Sequence, residues 1–233
     1  MTEVSRGAGR ELGGTLRVAR VGLQAVLGSA FRLRFASLGN VPQAGGAVLA
    51  SNHVSVLDPL VIGIGAARRG RAVRYVALSE DFRRPGVGWG LRLLDQIPIR
   101  RGSGDWAAIE EIAAAVRGGS LVGISAEGTV GSGAKLLPLQ KGAARVALAA
   151  RAPVLPVGIW GTQLRWARSG PRLGLPIRPE ARVVYGRPIE PEGDARSRAD
   201  VRALTDRIAI DLADMVERAR GSLGAGSFHE AAP

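Results

Sequence analysis

Short apolar runs alternate with helical patterns from residue 46 onward, and this alternation constrains the fold more than any other feature of the sequence. Such alternation is typical of βαβ units, in which helices connect parallel strands. We therefore predict an α/β fold, a single domain with a mostly parallel central sheet flanked by helices. The predicted strands are residues 47–51, 74–79, 96–100, 121–125, 154–160 and 181–186. The predicted helices are residues 59–69, 87–94, 105–117, 140–151 and 197–220.

The charge of the chain is strongly positive, with 32 Lys and Arg residues against 20 Asp and Glu residues and a net charge of +12. A surface this basic predicts an anionic partner, such as nucleic acid, lipid headgroups or a phosphorylated substrate. Cysteine is absent, which excludes disulfides, thiolate metal sites and an acyl-cysteine intermediate.

The N-terminal region has the pattern of an amphipathic helix. Within residues 12–31, Leu16, Leu23, Leu27 and Phe31 recur at helical spacing, and arginines fall largely on the other side. This pattern favours a basic helix that lies in a membrane interface, and a helix packed on the domain is the alternative.

These features divide the chain into three parts. We predict an N-terminal amphipathic helical arm at residues 1–35 with possible membrane contact, an α/β domain at 36–220 and a flexible tail at 221–233, in which His229 is inert. No apolar run is long enough for a transmembrane helix. We therefore expect a cytoplasmic protein, peripheral on the inner face of the cell membrane.

Three glycine-rich stretches come close to known motifs, and none is favoured. The phosphate loop needs Gly, Lys and Ser/Thr in succession, and residues 128–136 lack that succession. Residues 123–128 resemble a nucleophile elbow with the second glycine displaced, and the only histidine after them is His229. Residues 63–68 lack the third glycine of a dinucleotide fingerprint.

His53 is one of only two histidines, and it follows a predicted strand. On a regular helix, five residues would leave His53 and Asp58 about 140° apart. The two side chains can therefore meet only if the histidine precedes the helix and the aspartate lies in its first turn. Pro59 supports such a break. A carboxylate at Nδ1 would leave Nε2 free to accept a proton, and a hydrogen-bonded structural histidine is the alternative.

Four ordered blocks between residues 52 and 162 resemble the glycerolipid acyltransferases, specifically the 1-acylglycerol-3-phosphate acyltransferase family. The stretch NHVSVLD (52–58) matches the N-H-x4-D signature of that family. QIPIRR (96–101), AEGTVGSGAKLLPLQKGAARVAL (126–148) and APVLPVGIWGT (152–162) are similar to its second, third and fourth blocks.

The sequence departs from the family pattern in the second and third blocks. Val130 stands where the phosphate-binding arginine belongs, and Gly131 replaces a serine. Ser125 and Ala126 replace Phe-Pro, while the second block has Asp95 for glycine and Arg100 for the acidic residue. Part of the expected phosphate pocket is therefore missing, and the candidates to replace it are Arg100, Arg101, Lys135 and Lys141.

The resemblance implies transfer of a fatty acyl group from acyl-CoA or acyl-carrier protein to a hydroxyl of a lysophospholipid. The favoured acceptor is 1-acylglycerol-3-phosphate. It further implies that His53 is the base, that Asp58 orients it, and that no metal or other cofactor takes part. The implied acceptor-binding residues are Arg101, Glu127, Gly128, Thr129 and Lys141. For Glu127 and Thr129, a loop-fixing role is the alternative.

Two other functions stay open. The acceptor could be an unphosphorylated lipid or glycolipid. The chain could also be a basic protein that binds an anionic surface without turnover. We expect no specific nucleic-acid partner, because nucleic-acid binding is supported by charge alone: aromatic residues are 4% of the chain and no nucleic-acid module is present.

Overall fold

A central sheet of eight strands organises the molecule. The computed structural model describes residues 22, 24–100, 106–133, 135–172, 174, 177–221 and 229–230. The strands are β1 (Arg32–Ala36), β2 (Ala47–Ser51), β3 (Val73–Leu78), β4 (Ile97–Ile99), β5 (Leu121–Ser125), β6 (Val154–Trp160), β7 (Trp166–Ala167), β8 (Gly170–Pro171), β9 (Glu180–Tyr185) and β10 (His229–Glu230). The sheet has the order β10-β1-β9-β6-β2-β5-β3-β4, and β7 pairs with β8 in a separate hairpin.

The strand directions confirm a mostly parallel sheet. The five strands from β2 to β6 run parallel to one another. β9 is antiparallel to β6, β1 is parallel to β9, and β10 is antiparallel to β1. Every residue of β2 is buried, as expected for a central strand with helices on both faces.

The described residues form six α-helices, and all except the third pack on the two faces of the sheet. They are α1 (residues 24–30), followed by α2 (Asp58–Ala67), α3 (Val87–Leu93), α4 (Trp106–Arg117), α5 (Gly142–Ala150) and α6 (Arg198–Arg220). The buried side chains of α4, α5 and α6 share one core cluster with the sheet. Those of α1 and α2 share the cluster on the other face.

The last helix packs unusually close to the sheet. A Cβ atom at Gly158 of β6 would lie 2.2 Å from the backbone of Met215 in α6. Only glycine permits this approach, so Gly158 fixes α6 against the strand that leads into the site. Ser197 caps the start of α6, since its side chain accepts a hydrogen bond from the backbone N–H of Asp200.

Two predicted boundaries need correction. The arm predicted at residues 1–35 overlaps β1, in which Leu33 and Phe35 are buried beside β9. Residues 32–35 therefore belong to the domain. In the tail predicted as flexible at 221–233, His229 and Glu230 pair with Phe35 and Arg34 of β1. The helix predicted at residues 12–31 lies mostly outside the described residues.

No described helix is both long enough and apolar enough to cross a membrane.

Candidate active site

Three loops meet at the edge of the sheet where its parallel strands end. β2 lies between β5 and β6 and runs parallel to both. Because the carboxyl ends of parallel strands lie at one edge, the loops that follow these strands come together. They carry His53, Glu127 and Thr162 respectively.

His53 and Asp58 are in hydrogen-bond contact. The distance from His53 Nδ1 to Asp58 Oδ2 is 3.0 Å. The same oxygen accepts hydrogen bonds from the backbone N–H groups of Val54, at 2.7 Å, and Ser55, at 2.8 Å. Asp58 is the first residue of α2 and Pro59 is the second. The histidine thus precedes the helix and the carboxylate lies in its first turn, which is the arrangement that the spacing requires.

Thr162 completes the environment of Asp58. Its hydroxyl donates a hydrogen bond of 2.5 Å to Asp58 Oδ1. The carboxylate, whose residue is only 1% exposed, therefore receives four hydrogen bonds. A buried carboxylate needs such donors to remain charged. We did not predict a role for Thr162, although it is the last residue of the fourth sequence block.

The contacts fix the protonation pattern of the histidine. A carboxylate oxygen only accepts hydrogen bonds, so Nδ1 of His53 carries the hydrogen in this contact, and in the neutral imidazole the lone pair is then on Nε2. The side chain of His53 is 19% exposed, whereas that of Asp58 is 1% exposed. The partly exposed imidazole of His53 is thus oriented by the buried carboxylate of Asp58.

Two tyrosines, Tyr75 and Tyr185, are buried in the core and remain neutral. Burial, with smaller contributions from Tyr185 and Asp58, raises the pKa of Tyr75 well above its usual range. Burial likewise raises the pKa of Tyr185, whose hydroxyl donates to the carbonyl of Ile62. Neither phenol can serve as a base near neutral pH.

Asn52 joins the His53 loop to the neighbouring strand. Its amide nitrogen donates to the carbonyl oxygen of Ile159 at 3.0 Å, and its amide oxygen accepts from the N–H of Ile159 at 2.8 Å. These two hydrogen bonds attach the segment that follows β2 to the backbone of β6. The asparagine of the NH pair therefore sets the position from which the histidine extends.

Glu127 holds the backbone of two loops together. Its Oε1 accepts from the N–H of His53 at 2.8 Å, and its Oε2 accepts from the N–H of Leu137 at 2.9 Å. Glu127 is 5% exposed. Both oxygens are engaged by backbone donors, so Glu127 fixes these loops, and its role in acceptor binding stays a prediction.

The glycine-rich loop after β5 is anchored against the His53 loop and α6. The N–H of Gly131 donates to the carbonyl of His53 at 2.7 Å. A Cβ at Gly133, where φ is +79°, would lie 2.8 Å from the Trp160 ring. Arg220 of α6 stacks 4.5 Å above that ring and donates to the carbonyl of Gly133. Only glycine fits at position 133, so the loop has a defined path.

The remaining predicted acceptor residues are not gathered around His53 by any described contact. Gly128 and Thr129 are exposed in the turn after β5. Lys141 is exposed and precedes α5. Arg101 lies outside the described residues. Val130, at the position of the missing arginine, is half-buried.

An open cleft of about 420 Å³ lies between the sheet and helices α4 and α5. Its walls are mainly apolar, and Lys141 and Arg145 are its basic residues. Lys141 thus contributes to this cleft, on the helix-covered face of β3, β4 and β5.

Within the described parts of the chain, no group of three or more His, Asp or Glu side chains is arranged to hold a metal ion.

Comparison with known proteins gives a consistent result. Residues 32–160 match the family model described as Acyltransferase. The chain is 26% identical over 152 residues to the 1-acyl-sn-glycerol-3-phosphate acyltransferase of Bacillus subtilis, covering 64% of this chain and 70% of that protein. It is 29% identical over 127 residues to the protein of the same name from Borreliella burgdorferi, covering 53% of this chain and 49% of that protein.

A solved structure has a similar fold. The crystal structure of the 1-acyl-sn-glycerophosphate (LPA) acyltransferase from Thermotoga maritima aligns with a TM-score of 0.65 and 21% sequence identity. The alignment covers 90% of this chain and 84% of that one. At this identity the likeness concerns the fold.

Proposed function

Because this chain belongs to the Acyltransferase family, we propose that it transfers a fatty acyl group from an acyl thioester to a hydroxyl of 1-acylglycerol-3-phosphate, giving phosphatidate. The chain is an O-acyltransferase, as its relatives are. The observation that carries the proposal is the contact of 3.0 Å between His53 Nδ1 and the buried carboxylate of Asp58. It leaves Nε2 of a partly exposed imidazole available to an incoming hydroxyl.

The proposed reaction transfers the acyl group directly. Nε2 of His53 removes the proton of the acceptor hydroxyl while its oxygen attacks the thioester carbonyl carbon. The C–O bond forms, the tetrahedral intermediate collapses, and the C–S bond breaks. The proton held by His53 then passes to the sulfur, so the products are the ester and a free thiol. General-base assistance of this kind contributes roughly 10² to 10⁴ in rate.

Asp58 stabilises the charge that develops on His53. The imidazolium carries a full positive charge after the first proton transfer, and the carboxylate lies 3.0 Å away. Because four hydrogen bonds hold the carboxylate in place, it needs no rearrangement to stabilise this charge.

The donor is an acyl thioester, either acyl-CoA or acyl-carrier protein, and no metal or other cofactor takes part. The absence of cysteine favours direct transfer over an acyl-cysteine intermediate. The site of action is the inner face of the cell membrane, to which a basic protein is attracted by anionic lipid. The amphipathic arm adds to this attachment.

The valine at position 130 is the reason to consider a second candidate acceptor. Valine offers neither charge nor hydrogen-bond donors to a phosphate, so an unphosphorylated lipid or glycolipid hydroxyl is the alternative. The two candidate acceptors can be distinguished by the effect of a guanidinium at position 130 on the KM for each.

We expect the substitution Val130→Arg to lower the KM for lysophosphatidate about tenfold, because a charged hydrogen bond contributes roughly 1.5–3 kcal/mol. The KM for monoacylglycerol should not change. The measurement is steady-state transfer of a labelled acyl chain from its thioester to each acceptor. Val130→Gln is the matched control, since it adds donors without charge. An equal change for both acceptors, or no turnover of lysophosphatidate by either enzyme, would reject the phosphate-acceptor proposal.

A further inference from the structure

Several exposed apolar side chains lie in segments connected to the edge of the sheet that carries His53. The parallel strands end at this edge, and the antiparallel strands β9 and β1 begin there. Among the described residues, eight large apolar side chains are exposed, and all except Ile210 of α6 lie in segments that leave or enter the sheet at this edge: Val26, Val56, Val87, Trp89, Leu164, Trp166 and Ile177. An apolar surface on one side of a molecule indicates an interaction site.

The connection between β6 and β9 has the composition of a membrane-contact segment. Between Trp160 and Glu180 the sequence contains four arginines and no acidic residue. Leu164, Trp166 and Ile177 are 43%, 41% and 76% exposed. Exposed tryptophan and aliphatic side chains among arginines suit the boundary between lipid headgroups and acyl chains.

Two of these arginines hold the connection in place. Arg165 donates to the carbonyl oxygens of Gly174, at 2.9 Å, and Ile177. Arg178 donates to the carbonyl oxygen of Gly28 in α1, at 2.6 Å. The connection and α1 are therefore tied together, with Val26 of α1 64% exposed.

The other two arginines of the connection, Arg168 and Arg172, are exposed to solvent. Both lie on the β7–β8 hairpin. With Arg165 and Arg178 bonded to the backbone, the hairpin presents apolar side chains and positive charge together.

We propose that the β7–β8 hairpin with Ile177 is a docking surface for an anionic lipid bilayer, distinct from the N-terminal arm. We call Leu164, Trp166, Arg168, Arg172 and Ile177 the docking surface. Its apolar side chains enter the boundary of the acyl region, and its two exposed arginines bind headgroup phosphates. A nucleic acid would neutralise the arginines but leave Leu164 and Ile177 in water, so lipid is the partner that satisfies both features.

Docking through this surface brings the catalytic edge to the lipid. Thr162, which binds Asp58, lies only two residues before Leu164. An acceptor could then present its hydroxyl to His53 without leaving the bilayer. This consequence rests on the proposed function, whereas docking itself is measured without turnover.

The test is binding of the full-length chain to vesicles of phosphatidylcholine with and without phosphatidylglycerol, measured by sedimentation. Wild type should bind the anionic vesicles preferentially. The double variant Trp166→Ser/Ile177→Ser should bind them about 10- to 100-fold more weakly, because two apolar side chains no longer leave water. Arg168→Gln/Arg172→Gln should weaken binding about fivefold per arginine.

A matched control comes from α6, where Arg207 and the 71% exposed Ile210 lie away from this edge. The double variant Arg207→Gln/Ile210→Ser should bind vesicles nearly as wild type does. Equal losses in this control and in the Trp166→Ser/Ile177→Ser variant would overturn the proposal, as would equal binding of wild type to neutral vesicles.

Fluorescence quenching by brominated acyl chains locates the contact. The substitution Trp166→Phe should remove much of the quenching, and Trp106→Phe should not, because the Trp106 ring packs beneath Arg196. Quenching unaffected by Trp166→Phe would contradict insertion.

If the arginine variant lost binding to duplex DNA and to anionic vesicles alike, while the apolar variant kept both, the surface would be a general polyanion site and the proposal would fail.

Discussion

Replacement of His53 by alanine lowers the rate of acyl transfer by about 10² to 10⁴, which is the range that general-base catalysis contributes. We expect the loss to fall on kcat, because the proposed role of His53 is proton transfer during the reaction. The backbone contacts of residue 53 with Glu127 and Gly131 do not depend on its side chain. We therefore expect the free energy of unfolding to fall by no more than about 3 kcal/mol, the upper value for one hydrogen bond to a charged group. Steady-state kinetics and thermal unfolding measure the two quantities.

The chain provides a matched control, because His229 is its only other histidine. His229→Ala should leave kcat unchanged, since that residue pairs with β1. If His53→Ala unfolded the protein at the temperature of the assay, His53 would be a structural residue. If the variant kept more than about a tenth of the rate, general-base catalysis by His53 would be excluded.

The substitution Asp58→Asn should separate charge from structure. Asparagine can place its oxygen toward the N–H groups of His53, Val54 and Ser55, and its amide toward Thr162, whose hydroxyl can turn to accept. The fold and the histidine tautomer are then retained, but the negative charge that stabilises the imidazolium is lost. We expect kcat to fall at least about 100-fold, with a small change in stability.

Two further variants test this interpretation. Asp58→Ala should reduce stability as well as rate, because it leaves the buried N–H groups of Val54 and Ser55 without acceptors, at about 1–3 kcal/mol each. Thr162→Val should make Asp58→Asn strongly destabilising, since the amide then has no acceptor, and Thr162→Ser should not. An Asp58→Asn enzyme with nearly wild-type kcat would show that the charge plays no part in catalysis.

The central strands were predictable from sequence because they are buried on both faces. β2, β5 and β6 have the bounds that were predicted, and each is an apolar run that is largely buried. β1 was not predicted for two reasons. Its sequence, RLRFA, alternates arginine with apolar residues and so forms no continuous apolar run, and it directly follows a helical pattern. The antiparallel direction of β9 depends on its pairing with β6, which no local pattern specifies.

The candidate site was predictable only where its residues are neighbours in the chain. His53 and Asp58 are five residues apart and Pro59 marks the break between them, so their contact follows from local geometry. The contact of Thr162 with Asp58 spans 104 residues, and that of Glu127 with the His53 backbone spans 74. Both depend on the neighbouring positions of β2, β5 and β6 in the sheet, which the sequence alone does not reveal.

The central claim is most directly tested by measuring thiol release and phosphatidate formation together, with the purified chain, an acyl thioester and lysophosphatidate. The proposed reaction breaks one C–S bond for each ester formed. We therefore expect the two products to appear in equal amounts and thiol release to stop when lysophosphatidate is omitted. Thiol release that continues at the same rate without lysophosphatidate, with free fatty acid as its product, would contradict acyl transfer to this acceptor.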